Sequence, residues 1–203
     1  MSMLILVRHG QSEWNAENRF TGWVDSPLSE LGRAEARKGG ERLAAEGMRI
    51  DRAYTSTLVR AIDTGRIVLD TLGQTELRQV RAWQLNERFY GALTGRDKAQ
   101  TAEEFGAEQV HVWRRSYDVP PPGGESLKDT ANRTLPYFES EIVPATRQVA
   151  AVLVSAHGNS LRSIVKELDG LDDDAVTRLE IATGVPIIYT LDDGKVVDKT
   201  IAA

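Results

Sequence analysis

Apolar residues in this chain gather into short unbroken runs that stop abruptly at polar residues and glycine. Leu4-Ile5-Leu6-Val7 ends at Arg8-His9-Gly10, and Val149 to Ala156 ends at His157-Gly158. Runs this short and this continuous predict parallel strands buried on both faces. In open α/β sheets the ligand sits beyond the carboxyl ends of such strands, so His9 and His157 are expected to face one another across one site. Between the strands the pattern becomes helical. Ser29 reads as the N-cap of a helix from about Glu30 to Glu46, stopped by Gly47 and weakened by Gly39-Gly40. Asp51 to Thr55 is a further short strand. Ser56 then caps a helix through roughly Leu72, ended by Gly73, which places Arg60 in the first turn, within reach of the strand end.

The rest of the chain continues the alternation. Gln11 to Asn15 starts a helical turn that sets backbone N–H groups next to His9, and Phe20 to Pro27 is loop. Val80 to Leu85 is read as a strand and Asn86 to Gly91 as the loop after it. Residues 95–117 are helical with a break at Gly106, and Val110 and Trp113 share a buried face. Val119-Pro120-Pro121-Pro122-Gly123-Gly124 is a stiff loop, because three prolines remove three donors and fix φ. A helix from Ser126 to about Ile142 is expected to kink or restart at Pro136. After the second His strand come a helix from Asn159 to about Leu168, a capped acidic segment at Asp172 to Leu179, and a hairpin. The hairpin pairs Ile187–Leu191 with Val196–Ile201 around Asp192-Asp193-Gly194. Alternating βα units followed by a hairpin predict an α/β, three-layer αβα fold, with a mostly parallel sheet and an antiparallel edge. Residues 1–203 are expected to form a single domain.

Composition narrows the chemistry. The chain has no cysteine, which excludes disulfides, Cys-ligated metal and Cys-nucleophile mechanisms. A net charge of -5 argues against a nucleic-acid partner, which requires a basic face. No run approaches membrane-spanning length and the N-terminus carries no basic leader, so a cytoplasmic protein is expected. Arg8, Arg60, Arg88, Arg114 and Arg115 sit near motif-like positions, consistent with a positive cleft in an acidic shell.

No nucleotide loop of either common type and no His-x-x-x-His pairing is present, so metal and nucleotide chemistry are not expected. The better reading is phosphoryl transfer through a histidine. A neutral imidazole attacks phosphorus when its other nitrogen keeps its proton, and the transition state is stabilised by fixed positive donors. Arg8, Arg60, His157 and the backbone N–H groups following His9 and His157 are the candidates. Glu87, at a strand end, is the candidate acid, its pKa expected to rise beside an anionic substrate. On pattern alone Arg114-Arg115 is a solvated helix face, His111 lies on the surface, and Trp14, Trp23, Trp83 and Trp113 are packing residues.

Leu6 to Asn15 with Phe20-Thr21-Gly22-Trp23, Leu85 to Leu93, Lys98, Glu108 to Arg115, Ala156 to Arg162 and Thr183 to Pro186 closely resemble the cofactor-dependent phosphoglycerate mutases of the histidine phosphatase superfamily. The resemblance runs from residue 4 to about 191. It implies metal-free interconversion of 2- and 3-phosphoglycerate, primed by 2,3-bisphosphoglycerate, in glycolysis and gluconeogenesis, and a homodimer or homotetramer. His9 is then the phosphorylated nucleophile and Glu87 the proton donor and acceptor, with His157, Arg60 and Arg8 stabilising the transferring group. Gly10, Gln11, Ser12, Asn15, Thr21, Gly22, Arg88, Tyr90, Lys98, Arg114, Arg115, Gly158 and Asn159 are implied to hold substrate. Phe89 stands where many members carry His, a change expected to be tolerated. Longer mutases carry a segment between the positions of Pro122 and Gly123, and a tail beyond that of Ala203 that helps close the site. The short form is expected to let hydrolysis of the phosphohistidine compete more strongly with transfer. The rival readings are a phosphatase of the same superfamily, which Lys98 and Arg114-Arg115 disfavour, and a silent binding protein, which the intact histidines and Glu87 disfavour.

Overall fold

A computed structural model describes residues 1–202. In chain order its regular elements begin with β1 (Ser2–Arg8), α1 (Glu13–Ala16), α2 (Glu30–Ala45), β2 (Arg52–Thr55), α3 (Val59–Thr71) and β3 (Gln79–Arg81). The middle of the chain supplies α4 (Lys98–Phe105), α5 (Ala107–Arg115), α6 (Leu127–Tyr137) and α7 (Val143–Gln148). The last part supplies β4 (Ala151–Ala156), α8 (Gly158–Asp169), α9 (Asp173–Arg178), β5 (Pro186–Asp192) and β6 (Lys195–Ile201). The strands form one sheet in the order β3-β2-β4-β1-β5-β6. The first four of these run parallel, and the β5–β6 hairpin closes the sheet with antiparallel pairing.

The continuous apolar run of β1 is explained by its two faces. Leu4 and Leu6 point into a core that contains Leu161, Ile164 and Val165 of α8 and Phe138 and Ile142 beyond α6. Ile5 and Val7, one position out of phase, enter a second core with Leu43 of α2 and Val68 and Leu69 of α3. β4 splits the same way, Val152 and Val154 to the first core, Ala151 and Leu153 to the second. Because β1 and β4 are parallel neighbours with Arg8 opposite Ala156, their carboxyl ends are level.

Gly39 and Gly40 do not break α2. A Cβ at Gly39 would lie 2.3 Å from the Gly184 carbonyl oxygen, and one at Gly40 would lie 2.7 Å from Thr71 Cβ, so these glycines let the helix sit close on its neighbours.

Four expectations need correction. The strand from Val80 to Leu85 shrinks to β3, followed by a 3-10 turn at Trp83–Leu85, since β2 is only four residues long and its last carbonyl, Thr55 O, is taken by Ala82 N–H. Ser56 does not cap α3: Leu58 holds the N-cap position without a side-chain bond, and Asp25 Oδ1 accepts from Val59 N–H instead. The helix expected to end near Ile142 extends through a widened π turn at Phe138–Ile142 into α7, ending at Gln148. Pro136 and Pro144 flank that turn, and widening it relieves the clash between a proline ring and the carbonyl four residues earlier. Trp23 and Trp83 are 37% and 49% exposed, with Trp23 edge-on to Phe89. Gly106, at φ +88°, separates α4 from α5 where the break was expected.

Candidate active site

The level ends of β1 and β4 put the two histidines side by side, with ring centroids 4.9 Å apart. His9 is fixed from both sides. Its N–H donates to Ala156 O at 2.9 Å, and its Nδ1 lies 2.6 Å from Gly10 O. A carbonyl only accepts, so Nδ1 carries the proton and Nε2 is left with its lone pair. Burial, reinforced by Arg60 and Arg8, holds His9 well below the ordinary imidazole range, against the opposing pull of the Gly10 carbonyl. His157 is fully buried and is held low by burial, then by Arg60, His9, Arg133 and Arg8. Both rings are therefore neutral at pH 7.

A cavity opens at this end of the sheet. It is lined by Arg8, His9, Asn15, Thr21, Gly22, Arg60, Glu87, Arg88, Tyr90, Lys98, Arg114, Arg115, Gly158 and Asn159, all of them expected from the sequence. Arg60, on the first turn of α3, reaches back to donate to the Gly22 and Val24 carbonyls at 2.7 and 2.9 Å. Burial pulls its pKa down to about 10, which still leaves it charged. Arg8 donates to Ile181 O at 2.7 Å. The Nε atoms of Arg8, Arg60 and Arg88, Thr21 Oγ1 and His157 Nδ1 are buried without a protein partner. Buried polar groups are normally paired, so those on Arg8, Thr21, Arg60 and Arg88, all residues of the cavity wall, are donors left without a protein acceptor.

Glu87 has one committed oxygen and one free. Oε1 accepts from Arg88 N–H at 2.7 Å and from the backbone and side-chain amides of Asn159 at 3.2 and 2.8 Å, while Oε2 lies near Gly158, 3.6 Å from where a Cβ there would stand. Burial pushes its pKa up, but these hydrogen bonds, with Arg8 and Arg60, outweigh that and bring it below the usual carboxylate range. The ligand-free site thus keeps Glu87 ionised. The rise expected from the sequence requires the charge of a bound phosphate nearby.

Arg88 joins two parts of the wall. Its Nη2 donates to Arg114 O at 2.9 Å, so a cation sits on the C-terminus of α5, the helix that carries Arg114 and Arg115. Arg114-Arg115 is therefore cavity wall, not the solvated face that its pattern suggested.

His157, fully buried beside His9, does not itself line the cavity, and neither do Gly10, Gln11 and Ser12. The N–H groups of these last three are used internally, by Thr64 Oγ1, Glu35 Oε2 and Asn15 Oδ1, so the donors expected after His9 are spoken for. A Cβ at Gly10 would lie 2.1 Å from Gly32 O, which shows that this turn is pressed against α2. After His157, Asn159 N–H is likewise taken, by Glu87.

The sequence reading missed Arg19, Phe20, Arg162, Glu180 and Ile181 in the wall. Arg162 was findable: it is three residues after Asn159 on one face of α8, and its Nη1 donates to Asn159 Oδ1 at 3.2 Å. Glu180 had no local signal. Its carboxylate contacts Arg115 at 2.7 Å and Arg162 at 3.6 Å. Arg133, on α6, was also missed; it holds the carbonyls of Gln84, Asn86 and Glu87 at 2.8, 3.1 and 2.9 Å. Among the described residues no three His, Asp or Glu side chains gather as a metal-binding group, and no helix is long and apolar enough to cross a membrane.

Residues 4–201 match the family model of the histidine phosphatase superfamily, branch 1. The 2,3-bisphosphoglycerate-dependent phosphoglycerate mutase of Parvibaculum lavamentivorans is 57% identical, over 98% of this chain and 95% of its own length. The phosphoglycerate mutase of Schizosaccharomyces pombe is 53% identical, over 98% and 94% respectively. Among solved structures, a mycobacterial glucosyl-3-phosphoglycerate phosphatase superposes with a TM-score of 0.84 at 25% identity, covering 100% of this chain and 98% of its own. YhfR of Bacillus stearothermophilus does so at 0.82 and 29%, covering 97% and 94%.

Proposed function

The chain belongs to branch 1 of the histidine phosphatase superfamily, and from that membership and the cavity's chemistry we propose that it interconverts 2- and 3-phosphoglycerate through a phosphohistidine. The observation that carries the reading is His9: Nδ1 is tied to Gly10 O at 2.6 Å, and the ring opens on a cavity lined by seven arginines and one lysine. The mutase names of the relatives at 57% and 53% identity support the same substrate pair.

In this reading His9 Nε2 attacks phosphorus, forming an N–P bond as the P–O bond of the donor breaks. Glu87 Oε2 gives its proton to the departing oxygen. In the return transfer Glu87 takes the proton of the attacking hydroxyl as the N–P bond breaks. Arg8, Arg60 and His157 stabilise the equatorial oxygens, each fixed donor worth a factor of roughly 100 to 1,000 in rate. Arg88, Lys98, Arg114 and Arg115, with Tyr90, Asn15, Thr21, Gly22, Gly158 and Asn159, hold the substrate's phosphate and carboxylate.

The unpaired Nε atoms of Arg8, Arg60 and Arg88 are charged donors of the kind phosphate oxygens accept from, which supports 2,3-bisphosphoglycerate as the primer. When bound, that compound supplies the phosphoryl group that primes His9.

The test supplies 3-phosphoglycerate with and without a trace of 2,3-bisphosphoglycerate and follows both 2-phosphoglycerate and inorganic phosphate. Isomer formation stimulated by the trace compound is expected. Phosphate release without isomer overturns the reading in favour of a phosphatase. Acid-labile labelling by radioactive bisphosphoglycerate is expected to vanish in His9→Ala, and labelling at the wild-type level would place the nucleophile elsewhere.

A further inference from the structure

Ser56, displaced from its expected capping role, lies at the back of the second histidine. Its Oγ is 2.7 Å from His157 Nε2, and both residues are fully buried. The same oxygen accepts from Leu58 N–H at 3.1 Å. The turn is held in place by Asn86, whose Oδ1 accepts from Thr57 N–H and Thr57 Oγ1 at 3.0 and 2.9 Å.

These contacts choose between the two neutral forms of the ring. If Nε2 carried the proton, Ser56 would accept from both Leu58 and His157, and its own hydroxyl proton would be buried without an acceptor. Among the described residues Ser56 Oγ makes hydrogen bonds to these two partners alone. If instead Ser56 donates to Nε2, the hydroxyl is satisfied as donor and acceptor, and the ring proton moves to Nδ1. That nitrogen is a buried atom without a protein partner, on a ring whose centroid lies 4.9 Å from that of His9. We propose that Ser56 is a positioning residue that sets the tautomer of His157, so that the ring presents an Nδ1–H donor to the transferring phosphoryl group.

The consequence is a division of labour between the two histidines. Each is neutral with its proton on Nδ1, but His9 is set by a backbone carbonyl and offers the lone pair of Nε2. His157 is set by a hydroxyl and offers the proton of Nδ1. A donor supplied by a neutral ring adds no positive charge to the two arginines beside it. It also leaves His9 free of an added cation that would weaken its nucleophilicity.

The catalytic part of this inference rests on the phosphoryl-transfer reading; the tautomer itself does not. Nitrogen-15 NMR of histidine-labelled enzyme reads both nitrogens directly, with His111→Gln and His157→Asn assigning the three rings. The expected spectrum of the free enzyme has a protonated-type Nδ1 and an unprotonated-type Nε2 at His157. The opposite pattern overturns the proposal whatever the enzyme's activity. Ser56→Ala is expected to mix the tautomers and lower kcat by roughly 100-fold, as for loss of a fixed donor, with KM little changed. Ser56→Thr, which keeps the hydroxyl, is expected to restore both the spectrum and the rate. Should Ser56→Ala fail to fold, the wild-type spectrum still decides. A folded Ser56→Ala with unchanged nitrogen shifts and kcat overturns the proposal. The predicted tautomer in an enzyme that never forms 2-phosphoglycerate would sink the functional reading and leave the assignment standing.

Discussion

Arg133→Lys separates holding the fold from placing the acid. Arg133 uses all five of its N–H groups: Nε and Nη2 grip Glu125 at 2.8 Å each, Nη1 donates to the Gln84 and Asn86 carbonyls, and Nη2 also reaches Glu87 O. Its side chain is 9% exposed and that of Glu125 20%. Glu125 in turn accepts from Phe89 N–H at 2.9 Å, so Arg133 ties together the carbonyls on both sides of Glu87, alongside Trp23 Nε1, which also donates to Glu87 O. Lysine keeps the charge but has three donors on one point and cannot form the fork. At least two of the five bonds go unmade, at roughly 1.5–3 kcal/mol each for bonds to a charged group. The expected loss is therefore about 3–6 kcal/mol, a large part of a typical total of about 5–15 kcal/mol. In a protein of this size that lowers Tm by at least about 6 °C. A displacement of Glu87 near 1 Å costs up to about 100-fold in rate, so kcat should fall roughly 10- to 100-fold. Arg133 does not line the cavity, so KM should move by less than about threefold. Differential scanning fluorimetry and steady-state kinetics measure both effects. A lowered Tm with kcat within about twofold of wild type would refute the positioning argument, since the fold would then have felt the loss and the acid would not.

The protonation of the histidines links stability to pH. His9 and His157 are held below their ordinary value of 6.5, so below that pH the unfolded chain binds protons that the folded one refuses. Stability should be complete above about pH 6.5 and decline below it, by up to about 1.4 kcal/mol per pH unit for each ring. Glu87, held below 4.5, adds its own loss only at more acidic pH. Urea unfolding at pH 7.5 and 5.5 checks this, and equal stabilities would contradict it. Glu180→Gln should free Arg115 and Arg162 for the substrate, lowering KM for 3-phosphoglycerate by up to about fivefold, the modest scale of an exposed ion pair. A raised KM would mean that Glu180 instead orients those arginines.

The linear pattern by itself determined the strands that carry the site. Leu4–Val7 and Ala151–Ala156 must be buried on two faces, and only a sheet covered on both sides provides that. Two such runs that each stop at His-Gly are enough to pair His9 with His157. Neither inference depends on where the other segments pack. The helix capped by Ser29, the break at Gly106 and the closing hairpin were legible for the same reason, being stated by local residue chemistry.

Tertiary structure decided how the hydrogen bonds are shared out. Ser56 looks like a cap until His157, 101 residues away, arrives beside it. The N–H groups of Gly10 and Gln11 look available until α2 and α3 bring Glu35 and Thr64 against them. Arg114-Arg115 looks like a wet helix face until Arg88 draws the end of α5 into the cavity wall, and Glu180 has no distinguishing context at all. What each segment must bury is written in its own periodicity. Which donor meets which acceptor depends on segments tens of residues apart being pressed together, and only the folded chain does that.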